Sequence, residues 1–309
     1  MSELTKRKKT ARIHEGNPLI TVLLYATCIM LCFLCLYPMW YVLCCSLSQG
    51  NYVDAQQVWW IPRGFTLHAY KLIFMENDMW RAYANTIVYV IGATLLQLVF
   101  CMLAAYPLTC KNMIGRKVIT TFFLIPMYFG AGLIPTFLTY RAYGLMNNFL
   151  VYILPAAISA FNVLVMRSFI DGLPYELIES AKIDGASEYR ILFGIIFPLS
   201  MPVIATIGLF VCVSQWNQWF DTMMYCSSEK ELITLQYKLK QVLDTANSMT
   251  GDSVTMDAAA SVATEGSGRV TTQTIRAAMT VISVVPIACV YPFLQKYFVK
   301  GMTLGAVKG

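Results

Sequence analysis

The residues best suited to chemistry lie in one charged stretch, 168–195, whose pattern predicts a short helix, a turn and a second helix. Pro174 suits the start of a helix, because its missing N–H would have no partner there. Gly185 suits the turn because glycine adopts a left-handed conformation at little cost, and Ser187 can cap the next helix. The resulting helix at 174–184 would fit either a socket on a partner protein or a layer of lipid headgroups.

Catalytic and metal-binding chemistry has little support elsewhere in the chain. There are two histidines, His14 and His68, and most of the ten cysteines lie in apolar stretches, where they behave as small apolar residues. No C-x-x-C pair supports a zinc site. The P-loop pattern G-x-x-x-x-G-K-[ST] does not occur, so the chain cannot bind ATP by that route. We therefore expect a non-catalytic protein with no cofactor or metal of its own.

The composition predicts a membrane protein. Of the 309 residues, 57% are hydrophobic and 13% charged, and the mean hydropathy is +0.58, whereas soluble chains usually carry about 25% charged residues. Crossing ~30 Å of hydrocarbon at ~1.5 Å per residue takes about 20 apolar residues. Six charge-free stretches are long enough, which predicts an all-α fold with spans at about 19–45, 84–107, 118–139, 149–167, 196–220 and 277–298.

The placement of Lys and Arg predicts the orientation of these spans. With the N-terminus in the cytoplasm, most basic residues fall inside, as the positive-inside rule requires. The dense group Lys6–Arg12 would then anchor the first span; nucleic-acid binding is the weaker alternative, since it rests on charge alone. The expected organisation is a basic N-terminus at 1–15, a membrane domain at 16–298 and a cytoplasmic tail at 299–309, with the 168–195 loop inside and a long 226–273 loop outside.

The charged loop resembles the EAA loop of ABC-importer permeases, whose pattern is roughly E-A-A-x-x-x-G, nine residues, then I-x-L-P. In this chain the pattern appears as Glu179-Ser180-Ala181, Gly185, Ile195 and Phe197-Pro198. Ser180 replaces Ala and Phe197 replaces Leu, but the spacing is intact. Asp184-Gly185-Ala186 and Pro202 further resemble the carbohydrate-importer branch, as in the smaller permease subunit of maltose-type transporters. The likeness extends to Asn85-Thr86, Trp216-Asn217-Gln218-Trp219 and the tail Gly301–Gly309.

The resemblance implies the ABC-importer permease fold, with six spans, both termini in the cytoplasm and a coupling helix docked in a groove of an ATPase subunit. The coupling residues would be Glu179, Ser180, Ala181, Asp184, Gly185, Ala186 and Pro198. The tail residues Gly305, Ala306, Val307, Lys308 and Gly309 would contact the ATPase dimer. It also implies two ATPase subunits that bind the ATP, a second and non-identical permease subunit, an extracytoplasmic solute-binding protein, and a bacterial-type cytoplasmic membrane.

Two other features of the sequence each allow two interpretations. Trp216, Asn217, Trp219 and Asp221 lie near the outer end of the fifth span, where aromatic faces and amides can bind sugar rings. An interfacial aromatic belt or a gate also explains the tryptophans, and we prefer that interpretation to sugar binding. The polar 247–273 tract is either a flexible connector or a segment that orders on an outer partner.

The function predicted from these observations is that of a transmembrane permease subunit in an ATP-driven importer of carbohydrate, expected to be an oligosaccharide, that works by alternating access. A permease for another solute, such as a peptide or polyol, is the main alternative, and a membrane scaffold protein is a weaker one. A proton-coupled carrier is disfavoured because the span centres lack Asp, Glu and His. Neutral solutes fit this pattern better.

Overall fold

The computed structural model describes residues 18–75, 77–110, 112–249 and 270–306, and within these ranges it contains helices and no strands. The all-α prediction is therefore confirmed for this part of the chain. The basic N-terminus and most of the polar tract at 247–273 lie outside the described residues. The α-helices are α1 (Pro18–Ser46), α2 (Gly50–Asp54), α3 (His68–Met75), α4 (Asn77–Thr109), α5 (Arg116–Tyr128), α6 (Leu133–Ala142), α7 (Ala160–Asp171), α8 (Glu176–Ile183), α9 (Glu188–Ile191), α10 (Phe197–Leu199), α11 (Met201–Trp216), α12 (Phe220–Tyr225), α13 (Leu235–Met249) and α14 (Thr272–Ala306).

Three helices in the described ranges are long and apolar enough to cross a membrane, within Leu19–Ser46, Asp78–Thr109 and Thr272–Val290. They coincide with the first, second and last of the six predicted spans. Two further helix pairs pass the same test together but are bent, so the described residues offer between three and five candidate spans. The chain is therefore an integral membrane protein, with fewer straight spans than its hydropathy predicts.

The third predicted span, 118–139, is broken in its middle. Helices α5 and α6 meet at 115° across residues 129–132. Gly132 there adopts φ +84° and ψ 174°, a conformation that disfavours any other residue. Pro126 lies near the end of α5 and removes a backbone donor, which favours ending the helix at this point. Hydropathy cannot report such a break, because the residues on both sides remain apolar.

The fourth predicted span, 149–167, is not one helix. It consists of a 3₁₀ turn at Phe149–Tyr152, a non-helical connection and α7. Asn148 caps the turn through the amide of Leu150 at 3.0 Å, and Ser159 caps α7 through the amide of Asn162. The 12 residues of α7 extend about 18 Å, well short of the ~30 Å of hydrocarbon.

The fifth predicted span, 196–220, begins with a sharp bend. The segment Glu188–Leu199 and helix α11 meet at 75°. Pro198 and Pro202 flank this bend, and each lacks the N–H that would continue the helical hydrogen bonding. A π-helical turn at Leu192–Ile196 comes just before it. The chain from α9 to α11 is therefore helical throughout but changes direction at Ser200.

The described part of the chain divides into two compact units, residues 18–69 with 270–278 and residues 70–249 with 279–306. The first unit has a small core formed by Cys44, Cys45, Val53, Val58 and Ala277. The second unit has a larger core that includes Tyr106 and Leu108 of α4, Met166 of α7 and Ile191 of α9. This larger core supports the charged loop described below.

Candidate functional site

The charged loop folds as a short helix that ends at Gly185, as the sequence predicts. Gly185 has φ +76° and lies just after Asp184, the C-cap of α8. The amide of Ala186 donates to the carbonyl of Ala181 at 3.0 Å, and that of Gly185 donates to Lys182 at 3.1 Å. This pair of bonds is the Schellman arrangement, which satisfies carbonyls that a helix end leaves free.

The second helix of the loop also begins as predicted. Ser187 has an extended backbone and its hydroxyl accepts a hydrogen bond from the amide of Arg190, so it caps α9. The first helix, in contrast, begins at Glu176, two residues after Pro174. The predicted helix–turn–helix is therefore confirmed, with a slightly later start.

The apolar residues of α8 lie on two different faces. Ile178 and Ala181 are 8% and 9% exposed, respectively, and pack into the larger core. Leu177 and Ile183 are exposed, Ile183 to 81%, as is Tyr189 just beyond the turn. The i, i+1, i+4 spacing of Leu177, Ile178 and Ala181 predicts that they share one apolar face, but Leu177 is exposed whereas the other two are buried. Ile178 and Ala181 hold the helix against its own protein.

The polar residues predicted for this site are accessible. Glu179, Ser180, Asp184 and Gly185 are exposed, and Ala186 is half-buried. Pro198 is exposed at the start of α10, next to the bend at Ser200. The free surface of α8 therefore combines carboxylates and a hydroxyl with the apolar side chains of Leu177 and Ile183.

Two ionic networks flank α8, and sequence reasoning missed both. On one side, the carboxylate of Asp171 forms ion pairs with Arg167 at 3.4 Å and Arg116 at 3.7 Å, and Arg167 also donates a hydrogen bond to Thr120 at 2.9 Å. These contacts join α5 to the end of α7. The sequence shows a basic pair at 116–117 and a single acidic residue at Asp171, but it does not indicate that these charges form ion pairs.

On the other side of α8, Glu188 contacts both Lys182 and Tyr106. Its carboxylate lies 2.6 Å from Nζ of Lys182 and accepts a 2.5 Å hydrogen bond from the hydroxyl of Tyr106. The hydrogen bond between Lys182 and Glu188 is the main cause that raises the pKa of Lys182. No spacing rule links Tyr106 to Glu188, because they are 82 residues apart.

Trp216 and Asn217 of the Trp-Asn element are linked through two other residues, because the side-chain amide of Gln236 donates to Oδ1 of Asn217 at 3.5 Å and to Oγ of Ser283 at 2.7 Å. Trp216 is 6% exposed and its indole donates to the carbonyl of Ser283 at 3.0 Å, with Tyr83 packed edge-on against it. Asn217 is exposed, and its side chain donates to the carbonyl of Val213. Trp216 therefore has a packing role in this structure.

The other two residues of this group, Trp219 and Asp221, are each half-buried. Nζ of Lys240 is 4.6 Å from the ring centroid of Trp219, within the range of a cation–π contact. Asp221 is partly buried; burial raises the pKa of its carboxyl, and a hydrogen bond with Gln218 opposes that rise. Trp219 and Asp221 are thus the members of the group whose ring and carboxylate are used less for packing within the fold.

The pair Asn85-Thr86 ties the start of α4 to the segment before α13. The side-chain amide of Asn85 donates to the carbonyls of Glu231 and Ile233 at 2.6 and 3.1 Å. The hydroxyl of Thr86 accepts from the amide of Leu235 at 2.9 Å. This explains structurally why an amide and a hydroxyl occur together at the head of an apolar helix.

The predicted tail residues are described in part. Gly305 and Ala306 belong to the end of α14, whereas Val307, Lys308 and Gly309 lie outside the described residues. Among the described residues, no group of three or more His, Cys, Asp or Glu could hold a metal ion.

A helical membrane chain with an EAA-like loop supported on its core has the features of a transport permease, and comparison with known proteins identifies the family. The family model for the binding-protein-dependent transport system inner membrane component matches residues 97–304. The chain belongs to this family, which confirms the resemblance drawn from the charged loop. The match covers the larger core, the loop and the last long helix.

Individual relatives match over nearly the whole chain. The polygalacturonan/rhamnogalacturonan transport system permease protein YtcP of Bacillus subtilis is 34% identical over 95% of this chain and 99% of its own. The arabinooligosaccharides transport system permease protein AraQ of Halalkalibacterium halodurans is 26% identical over 96% and 99%. A solved bacterial ABC transporter involved in importing the acidic polysaccharide alginate has a chain that is 31% identical, with a TM-score of 0.81 over 91% of this chain and 97% of that one.

Proposed function

We propose that this chain is the transmembrane permease subunit of an ATP-driven carbohydrate importer, and that its substrate is an oligosaccharide. Membership of the binding-protein-dependent transport family supports the transport role. The names of the relatives support the substrate class, since they refer to polygalacturonan and rhamnogalacturonan, to arabinooligosaccharides and to alginate. These carbohydrates include acidic and neutral ones, so the expectation of a neutral solute stays a prediction.

The topology that we propose has six spans, with both termini in the cytoplasm of a bacterial-type cell and several passes through its inner membrane. The bent pairs α5–α6 and α9–α11 would each count as one span, and residues 149–171 would form an irregular fourth. The placement of Lys and Arg supports this orientation. Residues 1–15 and 299–309 would then be the cytoplasmic ends of a membrane domain at 16–298.

The coupling role that we assign to α8 has one main support: the helix is fixed to the core by Ile178 and Ala181 while its opposite face is free. Glu179, Ser180 and Asp184 would supply polar contacts to an ATPase subunit, and Leu177, Ile183 and Tyr189 apolar ones. Gly185, Ala186 and Pro198 would set the direction in which α8 leads into α11. The tail at 305–309 would add a second contact.

The partners that we infer are two ATPase subunits, a second and non-identical permease subunit, an extracytoplasmic solute-binding protein and the lipid bilayer, without nucleic acid. Helices α5 and α6 carry no buried residue in this single chain, and the break at 129–132 is exposed. Non-helical backbone at membrane depth is tolerated where protein covers it or where it lines a water-filled cavity. This supports a second permease subunit, or the solute pathway itself, at the break.

In the proposed mechanism, ATP binding closes the two ATPase subunits, and α8 transmits their motion to α11, so that the permease pair opens toward the solute-binding protein. This chain would bind no ATP and catalyse no reaction. Moving a two-state gate from 1:99 to 99:1 requires ~5.5 kcal/mol of differential binding. A single docked helix supplies part of that, and the ATP-driven dimer supplies the rest.

A pair of glycine substitutions tests the coupling role. Gly185 and Gly144 both have left-handed backbones, with φ +76° and +68°, and open space where a Cβ would be. Gly185→Val and Gly144→Val therefore impose similar strain at two different places. In the complete importer reconstituted in vesicles, we expect Gly185→Val to abolish sugar uptake and the ATPase stimulation by the binding protein, and Gly144→Val to retain both. Normal uptake and stimulation with Gly185→Val would remove the coupling role.

Calorimetry of the solute-binding protein that assembles with this permease, with uronate and neutral oligosaccharides, tests the substrate class. Binding of a peptide or polyol instead would reassign the substrate and leave the permease role intact. ATP-dependent accumulation of solute by the purified assembly would exclude a scaffold protein. Trp219 and Asp221 remain proposed pathway or gate residues, together with Trp216 and Asn217. A further proposal is that the 247–273 tract contacts the binding protein.

A further inference from the structure

The carboxylate of Glu188 joins three helices around the turn at Gly185. Glu188 is the first residue of α9; one of its oxygens, Oε1, lies 2.6 Å from Nζ of Lys182 on α8. The other, Oε2, accepts a 2.5 Å hydrogen bond from the hydroxyl of Tyr106 on α4. A single side chain therefore connects the helix before the turn, the helix after it and one long apolar helix.

The two contacts differ in strength. Tyr106 is 5% exposed, and an O–H to carboxylate bond of this length is charge-assisted and about twice as strong as a neutral one. The side chains of Lys182 and Glu188 are both partly exposed, so water and salt weaken their ion pair. The Tyr106–Glu188 hydrogen bond is thus the stronger of the two contacts, and the Lys182–Glu188 ion pair is the weaker.

The position of this carboxylate matters because the turn between α8 and α9 is a potential hinge. A Cβ at Gly185 would meet no atom within 4 Å, so the turn is held by its two backbone hydrogen bonds and by side-chain contacts that cross it, and not by packing at Gly185. The ion pair crosses the turn, from three residues before Gly185 to three residues after it. Tyr106 then fixes the same carboxylate to α4, so that rotation at the turn must break one of these contacts.

We propose that Glu188 is a positioning residue for coupling, and that Tyr106 and Lys182 hold it so that α8, α9 and α4 move as one body. This proposal rests on the proposed docking of α8 to an ATPase subunit. Force applied to α8 then reaches the second and fifth proposed spans without being lost as bending at Gly185. Ile178 and Ala181 pack α8 into the core without help from Glu188, so we expect variants of Glu188 to keep α8 in place.

The informative measurement is the number of ATP molecules hydrolysed per solute molecule imported, in the complete importer with its ATPase subunits, second permease and binding protein. A residue needed only for stability would lower both rates together and leave the ratio unchanged. We expect Tyr106→Phe and Glu188→Ala each to raise the ratio roughly tenfold, the change expected for losing a hydrogen bond to a charged group. Lys182→Met should have a smaller effect because its pair is partly exposed.

The double variant sharpens the test. Because Tyr106→Phe and Glu188→Ala remove the same bond, combining them should raise the ratio little beyond Glu188→Ala alone. Tyr143→Phe is the matched control: Tyr143 is highly exposed, lies just after α6, and loses one hydroxyl in the same way. It should leave the ratio at the wild-type value.

Unchanged ratios for Tyr106→Phe and Glu188→Ala, in complexes that assemble normally, would overturn the proposal. If Glu188→Ala fails to assemble, Tyr106→Phe decides the question, because it keeps every charge and removes one oxygen atom. A photo-crosslink from position 183 to the ATPase distinguishes the docking role of α8 from the positioning role of Glu188. Its absence in the otherwise wild-type importer defeats the docking role, whereas its presence with unchanged ratios defeats the positioning role alone.

Discussion

The indole of Trp216 donates a 3.0 Å hydrogen bond to the backbone carbonyl of Ser283, which ties the end of α11 to α14. A tryptophan in a Trp-Asn element near a membrane surface is easily interpreted as a sugar-stacking or belt residue. In this structure it is 6% exposed and holds two helices together. The contrast with the more accessible Trp219 leads to the first prediction.

Trp216→Phe should lower the thermal stability of the purified permease complex more than Trp219→Phe does. The first change removes a buried hydrogen bond worth about 1 kcal/mol together with packing area. The second weakens a partly exposed cation–π contact with Lys240 that is worth at most about 0.5–1 kcal/mol, because Phe keeps a smaller aromatic ring. Thermal unfolding of both variants checks the order. Equal stability with impaired uptake for Trp216→Phe would instead indicate direct contact with the solute.

A second prediction concerns the two faces of α8. Ala181→Asp places a charge in the core that supports α8, so it should destabilise the complex by several kcal/mol or prevent its assembly. Ile183→Asp changes a residue that is 81% exposed and should leave the fold intact while weakening recovery of the ATPase with the permease. Co-purification and thermal unfolding distinguish the two effects. Normal ATPase recovery with Ile183→Asp would contradict the assigned docking face.

A third prediction concerns the segment before α13. Asn85→Ala removes donors to two backbone carbonyls, which should cost about 1–3 kcal/mol locally and speed amide hydrogen exchange around Leu235. Arg81→Gln removes an exposed ion pair with Glu231 and should change the exchange little. Exchange followed by mass spectrometry measures both. Unchanged exchange in Asn85→Ala would show that the segment is held by other contacts.

A fourth prediction follows from the direction of the Asp221 shift. Because burial raises its carboxyl pKa above the unfolded value, folding favours the protonated form. The resulting stabilisation is full below the unfolded pKa of ~3.9 and is lost as pH rises through the folded pKa. Asp221→Asn should therefore raise the thermal midpoint at pH 7, and the gain should shrink toward pH 4. A lower midpoint at pH 7 would show that the charged form makes a favourable contact.

The features that the sequence predicts correctly are local ones. The end of α8 at Gly185 and the cap of α9 at Ser187 depend on residues within one or two turns, so short-range rules are sufficient. The long helices α1 and α4 follow from uninterrupted apolar runs. The family resemblance rested on the spacing from Glu179 to Pro198, which is also a local pattern.

The features that the sequence does not predict depend on backbone breaks or on distant partners. Hydropathy treats 118–139 as one apolar run, although Gly132 and Pro126 allow it to bend by 115°. The inward packing of Ile178 and Ala181 depends on a core built from α4 and α7, which periodicity within α8 cannot reveal. The contact of Tyr106 with Glu188 joins residues 82 positions apart.

The central claim is that α8 is the surface on which an ATPase subunit docks, and site-specific photo-crosslinking tests it most directly. A photoreactive amino acid at position 183 of α8, in the assembled importer, should crosslink to the ATPase subunit, while the same label at position 143 should not. The yield at position 183 should also change when ATP is bound. A crosslink from position 183 to lipid alone, in a complex that still transports its sugar, would contradict the account.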